Sequence, residues 1–153
     1  MTTLVVLHLL ATAVWVGGTV VLVFTAVPTL RTLPMEERAR SVRMLGRRWK
    51  PIGWTSLVIL AGTGAGLAFG YWNASDPDVL FHSRFGHILI AKAVLFFLLL
   101  ISVILHDIVI GPRLNRQMRE GRPQTLRRPM VMVGWTSFVL TVTIPILGVL
   151  LTR

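Results

Sequence analysis

Three of the four histidines and one lysine are the residues of this sequence whose surroundings point to chemistry. His8 and Lys92 each lie inside a long apolar stretch, while His87 and His106 lie near the two ends of the stretch that contains Lys92. An ionisable side chain inside a membrane is costly, so it usually has a partner or a function. We therefore expect the function to depend on these residues more than on His82, which lies in a polar segment.

Lys92 needs a compensating charge. It lies about 12 Å into its apolar stretch at 1.5 Å per helical residue, and the chain has only six acidic residues. Asp107 and the acids of the basic segments belong to the other end of the stretch. Lys92 must therefore reach the outer surface, lose its proton, pair with Asp76 or Asp78, or meet an anion that the sequence does not encode.

Haem is an anionic cofactor that also takes imidazole ligands. Helix bundles commonly hold it between facing side chains, with histidine on the iron. The sequence predicts a haem b site in the outer leaflet, with His8 as an axial ligand, Lys92 beside a propionate and His87 as the second ligand. At 100° per residue, His87 and Lys92 differ by roughly 140° around one helix. An interfacial, water-exposed His87 is therefore the alternative.

Trp15 and Gly18 follow His8 on the same stretch. Both are predicted to contact the cofactor, since a glycine relieves crowding along a helix. The alternatives are an interfacial anchor for the tryptophan and a helix–helix contact for the glycine.

A second polar group lies at the inner end of the Lys92 stretch. His106 is followed by Asp107, and Met130 and Met132 begin the next apolar stretch at the same level. A His-Asp pair could serve a second haem, a metal or a proton step, or could simply be a polar helix end. Imidazole and thioether groups also suit copper. A copper transporter that uses His8, His106 and Met132 is therefore the competing hypothesis.

The elements that position these side chains are apolar spans, each of at least the roughly 20 residues that cross a bilayer as a helix. The chain is 54% hydrophobic and has no cysteine, and its mean hydropathy is +0.71. Long apolar runs without strict alternation favour helices over a barrel. The prediction is an all-α integral membrane protein with one four-transmembrane-helix bundle over residues 1–153. The predicted helices lie near 3–28, 51–72, 85–111 and 130–151.

The net charge of +10 is concentrated in two segments. Most of the 16 basic residues lie in 31–50 and 113–128. By the positive-inside rule, these two basic loops are cytoplasmic and both termini lie outside, in a multi-pass protein of the plasma (inner) membrane. We prefer contact with anionic lipid headgroups to nucleic-acid binding as the role of this charge.

The chain contains a weak internal repeat. Gly-Trp-Thr-Ser occurs at 53–56 and again at 134–137, and a shift of 84 residues places Pro28 on Pro112 and His8 on Lys92. This pattern favours a duplicated helical hairpin. Three glycines at four-residue spacing also predict a close helix contact, either inside the bundle or with a second copy of the chain in a homo-oligomer; they are Gly62, Gly66 and Gly70.

These stretches resemble the CopD (copper-resistance D) family of small membrane proteins over nearly the whole chain. The stretches are LHLLATAVWVGG, RWKPIGWTSLVILAGTGAGL, FGHILIAKAVLF and LHDIVIGPRL. The specific elements are the first-helix histidine with tryptophan and paired glycines, and a glycine six residues before a lysine; they are His8, Trp15, Gly17, Gly18, Gly86 and Lys92.

The resemblance extends to a haem b-binding relative, the bacterial protoporphyrinogen oxidase family. That relative has a second histidine near the inner end of its first helix, where this chain reads AVPTLRT. The leading hypothesis is a haem b membrane protein that transfers electrons with a quinone or a redox protein as partner. The alternatives are a copper-transport or copper-resistance membrane protein, an enzyme similar to protoporphyrinogen oxidase, and an accessory membrane protein.

Overall fold

A computed structural model of the protein describes residues 1–70, 74–120 and 125–150. This part of the chain consists of helices joined by short turns. The elements are α1 (Thr2–Val21), a π-helical segment (Leu22–Ala26), α2 (Val27–Arg31), α3 (Met35–Gly70), α4 (Pro77–His82), α5 (Arg84–Ile104), a second π-helical segment (Leu105–Ile110), α6 (Gly111–Arg119) and α7 (Arg127–Leu150).

Four helical stretches are long and apolar enough to cross a membrane: Thr2–Arg31, Met35–Gly70, Arg84–Gln117 and Arg127–Val149. Many of their large apolar side chains are exposed on the protein surface. Such a surface is stable in lipid, where the helices satisfy their own backbone hydrogen bonds. The predicted all-α membrane protein with four transmembrane helices is confirmed.

The contacts of the chain divide it into two compact units, Met1–Val79 and Leu80–Arg153. In the first unit α1 packs against α3, and in the second α5 packs against α7. Each unit is thus a helical hairpin, called below the first and the second hairpin. This division agrees with the repeat found in the sequence. That the two hairpins together form one domain stays a prediction.

We expected the first basic segment to be a loop, but the structure shows that it is helical. Helix α3 begins at Met35 and continues through Pro51 to Gly70. Glu36 and Glu37 lie in its first turn, where negative charge is favourable, and the arginine-rich residues that follow are strong helix formers. Hydropathy therefore predicted the apolar part of α3 from residue 51 onward, but it did not predict the basic helical extension that begins at Met35.

A π-helical segment interrupts the first long helix of each hairpin just before a proline. The N–H of Val27 bonds the carbonyl of Leu22 five residues back, and Pro28 follows. In the second hairpin the N–H of Gly111 bonds the carbonyl of His106, again before a proline. Because proline has no N–H and its ring collides with the carbonyl four residues earlier, the wider turn relieves the clash. The same irregularity at repeat-equivalent positions supports a duplicated hairpin.

The glycine-rich face of α3 packs mainly within its own hairpin. A Cβ atom at Gly66 would lie 3.4 Å from Leu4, and one at Gly70 would lie 3.7 Å from Met1, whereas Gly62 has nothing within 4 Å. Two of the three glycines thus bring α1 close to α3. This part of the predicted contact is intramolecular.

Candidate metal-binding site

His8 of α1 is held by a buried hydroxyl of α3. Its Nδ1 lies 2.8 Å from Thr63 Oγ1, and Thr63 is only 6% exposed. The Thr63 hydroxyl donates its one proton to the carbonyl of Ile59 at 2.6 Å, so its oxygen accepts from Nδ1–H of the imidazole. This tautomer places the lone pair on Nε2, which is the arrangement of a metal-ligating histidine oriented through its other nitrogen.

Small residues bring α3 close to this imidazole. A Cβ atom at Gly64 would lie 3.5 Å from Cε1 of His8, and Gly64 directly follows Thr63. The sequence analysis did not identify Thr63. A signal was present, because Thr63 lies seven residues after Ser56 of the repeated motif, on the same face of the helix.

Trp15 and Gly18 pack against a tryptophan that the sequence analysis did not single out. The Trp15 ring, 7% exposed, lies 6.2 Å from the ring of Trp49, centroid to centroid, at an angle of 31°. A Cβ atom at Gly18 would overlap the Trp49 ring, and one at Gly53 would lie 3.1 Å from Trp15. Gly18 thus admits an aromatic side chain of its own hairpin. Its predicted contact with a cofactor stays a prediction.

His106 and Asp107 form the polar centre of the second hairpin. His106 Nδ1 lies 2.8 Å from Asp107 Oδ1, and the two side chains are 35% and 18% exposed. Nδ1–H donates to the carboxylate, so in the neutral imidazole the lone pair is again on Nε2. The Nε2 edge of the ring faces α7, since a Cβ atom at Gly134 would lie 4.0 Å from Nε2.

Met130 lies one turn before Gly134 on the same helix. A Cβ atom at Gly111 would lie 3.9 Å from the Met130 methyl group, and the same atom would lie 2.9 Å from the carbonyl oxygen of His106. Met130 therefore packs at the level of the His106 segment, where α7 begins. Met132, in contrast, is 70% exposed, and its role in the copper hypothesis stays a prediction.

A pair of hydrogen-bonded serines connects α5 to α7 one turn away from His106. Ser102 Oγ lies 2.7 Å from Ser137 Oγ and donates to the carbonyl of Val133 at 3.2 Å. Ser102 is 6% exposed. Ser137 belongs to the repeated Gly-Trp-Thr-Ser motif, so the motif supplies a helix contact. This contact holds the backbone that carries His106 close to Gly134.

Lys92 also contacts α7. A Cβ atom at Gly148 would lie 3.3 Å from Nζ of Lys92, so the ammonium group crosses over a glycine of the facing helix. Lys92 forms no ion pair with any residue in the described ranges, where the ion pairs are His106–Asp107 and Arg116–Glu120. Lys92 and His106 thus both approach α7, at Gly148 and at Gly134.

His87 lies on a different face from Lys92. It is exposed and lies in the first turn of α5. Its backbone N–H donates to the backbone carbonyl of Ser83 at 3.2 Å. The structure does not bring His87 to another candidate ligand of its hairpin. A single site formed by His8, His87 and Lys92 would join the two hairpins and stays a prediction.

The candidate ligands therefore occur as small groups. Within residues 1–70, 74–120 and 125–150, no three histidine, cysteine or acidic side chains are placed to hold one metal ion. The second hairpin has an oriented imidazole, that of His106, and a methionine, Met130, that packs against the backbone at Gly111.

A family model described as Copper resistance protein D matches residues 43–151, which include His106, Asp107 and Met130. No curated protein matches the chain. No solved structure matches it either. Because the match covers well over half of the sequence, the chain belongs to the CopD family of copper-resistance membrane proteins.

Proposed function

We propose that this membrane protein binds copper as its cargo and carries it across the bilayer, with His106 and Met130 as ligands. The observation that supports this most directly is the His106 imidazole, oriented by Asp107 and facing α7 at Gly134, one turn from Met130 on that helix. Both residues lie in the part of the chain that matches the copper-resistance family. This proposal replaces haem b as the leading hypothesis, because the family supports copper and nothing in the comparisons supports haem.

The chemistry of the group suits Cu(I). A thioether is a soft ligand, and imidazole binds copper in both oxidation states. Asp107 fixes the ring through Nδ1, as carboxylates commonly do for metal-bound histidines. A small ligand set also suits a transported ion, because a site on a conduction path must bind its ion and then release it.

The binding test compares two methionines of one helix. Purified protein in detergent is titrated with Cu(I) in competition with a Cu(I) chelator. We expect Met130→Leu to weaken Cu(I) binding about tenfold, or about 1.4 kcal/mol, and the matched control Met132→Leu to leave it unchanged. Asp107→Asn should weaken binding about 10–100-fold, as the loss of an outer-shell partner does. Equal affinities for the two methionine variants would contradict the proposal.

The transport test uses cells that express the protein. Cells with the wild-type chain should differ from empty-vector cells in copper content, and His106→Ala should remove the difference while His82→Ala retains it. Equal membrane levels of the variants are checked by immunoblot. Transport through this group would be excluded if cells with His106→Ala had the same copper content as cells with the wild-type chain.

For the topology, we propose that the protein lies in the plasma (inner) membrane with both termini outside. The basic segments would then face the cytoplasm, as the positive-inside rule requires. Cysteine accessibility supplies the test, because the chain has no cysteine of its own. Cysteines introduced at Thr3 and at Arg43 should label from opposite sides of the membrane.

Haem b bound at His8, with electron transfer to a quinone or a redox protein, is the second candidate. The observation in its favour is the Thr63 hydroxyl that orients the His8 ring, since an oriented neutral imidazole suits iron as well as copper. Protein purified from haem-replete cells should then show a Soret band that His8→Ala diminishes and His82→Ala does not. A preparation without that band removes this candidate and leaves the copper proposal intact.

A further inference from the structure

The basic extension of α3 carries a groove lined by arginines. The groove has a volume of about 380 Å³ and is lined by Arg40, Arg43, Met44, Arg47 and Arg48. All five side chains are exposed. At 100° per residue, Arg40 and Arg47 point in nearly the same direction, with Arg43 and Arg48 on either side. The four arginines therefore project from one side of the helix.

No carboxylate neutralises this arginine groove within the described part of the chain. Glu36 and Glu37 lie about one turn before Arg40, but neither forms an ion pair with it in the described part of the chain. The arginines themselves are three and four residues apart, and like charges at these spacings destabilise a helix. An anionic ligand would offset that repulsion.

The position of the groove along α3 indicates its depth relative to the bilayer, and therefore which anion is available to it. The apolar part of α3 begins near Pro51, and at 1.5 Å per residue Arg48 lies roughly 4.5 Å before it and Arg40 roughly 16 Å before it. The headgroup layer is about 5–8 Å thick on each side of the hydrocarbon. Arg47 and Arg48 thus lie at headgroup depth, and Met44 adds an apolar wall at the centre of the groove.

We propose that the arginine groove binds the phosphodiester headgroup of an anionic phospholipid. A guanidinium group matches phosphate with two parallel hydrogen bonds, which a lysine ammonium cannot reproduce. The lipid is the ligand of choice because it is present at this depth at high local concentration, with its acyl chains directed toward the apolar part of α3. This assignment is independent of the copper proposal and concerns a different hairpin from the His106 group.

The experiment measures phosphatidylglycerol bound by the full-length protein in mixed dodecyl maltoside micelles, with phosphatidylcholine as the neutral reference. Each arginine near an anionic surface contributes about fivefold, or about 1 kcal/mol. We therefore expect Arg47→Gln with Arg48→Gln, the pair at headgroup depth, to lower phosphatidylglycerol affinity at least tenfold. The matched control is Arg127→Gln with Arg128→Gln, which removes equal charge from the equivalent stretch of the repeat and should have a clearly smaller effect.

A lysine variant separates a fitted site from diffuse attraction. Arg47→Lys with Arg48→Lys keeps the charge and loses the guanidinium geometry, so phosphatidylglycerol affinity should fall at least threefold below wild type. The proposal is overturned if the lysine variant binds as wild type does, or if both glutamine pairs weaken binding equally. It is also overturned if the groove variants lose affinity for a single-stranded RNA while keeping phosphatidylglycerol, because the groove would then be a nucleic-acid site.

Discussion

Gly18→Ala tests the packing of the first hairpin most directly. The Trp49 ring lies against Gly18, where an added methyl group would overlap it. The ring is confined on its other sides, since Trp15 lies 6.2 Å away between centroids and Nε1 lies 3.3 Å from a Cβ position at Gly53. Trp49 therefore has to shift when Gly18 becomes alanine.

The cost of that shift follows from two limiting cases. If the Trp49 ring stays, overpacking destabilises the hairpin by about 1–3 kcal/mol. If the ring turns away, it loses its contact with Trp15, which contributes about 0.5–1.5 kcal/mol. Alanine also has a higher helix propensity than glycine by up to about 1 kcal/mol. The proper reference is therefore Gly17→Ala, which gains the same propensity and has nothing within 4 Å.

Thermal unfolding in dodecyl maltoside, followed by circular dichroism, gives the comparison. We expect Gly18→Ala to be less stable than Gly17→Ala by about 0.5–3 kcal/mol, the range of the two cases, at roughly 2–4 °C per kcal/mol for a chain of this size. In a Trp49→Ala background the difference should vanish. Equal melting temperatures for the two alanine variants would refute the packing argument. If a bound cofactor is lost while the melting temperature stays the same, Gly18 faces a ligand instead of Trp49.

Three further predictions concern polar contacts within the helical hairpins. Thr63→Val should lower stability by about 1 kcal/mol, because the His8 ring loses its acceptor, and it should have little effect once His8 is replaced by phenylalanine; additive effects in that double-mutant cycle would contradict the hydrogen bond. Ser102→Ala and Ser137→Ala should each cost about 0.6–1.7 kcal/mol, and the double variant should cost less than their sum when chemical or thermal unfolding is measured. Lys92→Met should raise the melting temperature, since an ammonium group without a described carboxylate leaves the membrane span; a lowered melting temperature would reveal an anion that compensates it.

Hydropathy predicted the number of spans well and the extent of the helices poorly. The second span was predicted to begin at residue 51, whereas α3 begins at Met35. Transfer to lipid depends on apolar side chains, but helix formation depends on backbone hydrogen bonds and propensity, which continue through the basic residues. The same reason explains why Gly111–Arg119 is helical although its charges place it outside the hydrocarbon.

The direction in which each candidate ligand points around its helix could be predicted from the sequence, because helical geometry fixes the rotation per residue. At 100° per residue, Lys92 and His106 differ by about 40° around their helix, and both approach α7 in the structure, whereas His87 and Lys92 differ by roughly 140°. What the sequence could not supply was the partner of each side chain. Thr63 for His8 and Gly148 for Lys92 come from the facing helices, and their register depends on packing that no single-helix pattern contains.

The duplicated hairpin has a consequence for symmetry. A dimer of identical hairpins would carry each functional side chain twice, whereas two hairpins in one chain can change separately. At repeat-equivalent positions this chain has His8 in one half and Lys92 in the other, and Leu22 in one π-helical segment where the other has His106. The two halves thus share a helical hairpin with a π-helical segment but carry different side chains at equivalent positions. Because both hairpins belong to one chain, a substitution in one leaves the equivalent position of the other unchanged, so each can hold a polar group that the other lacks.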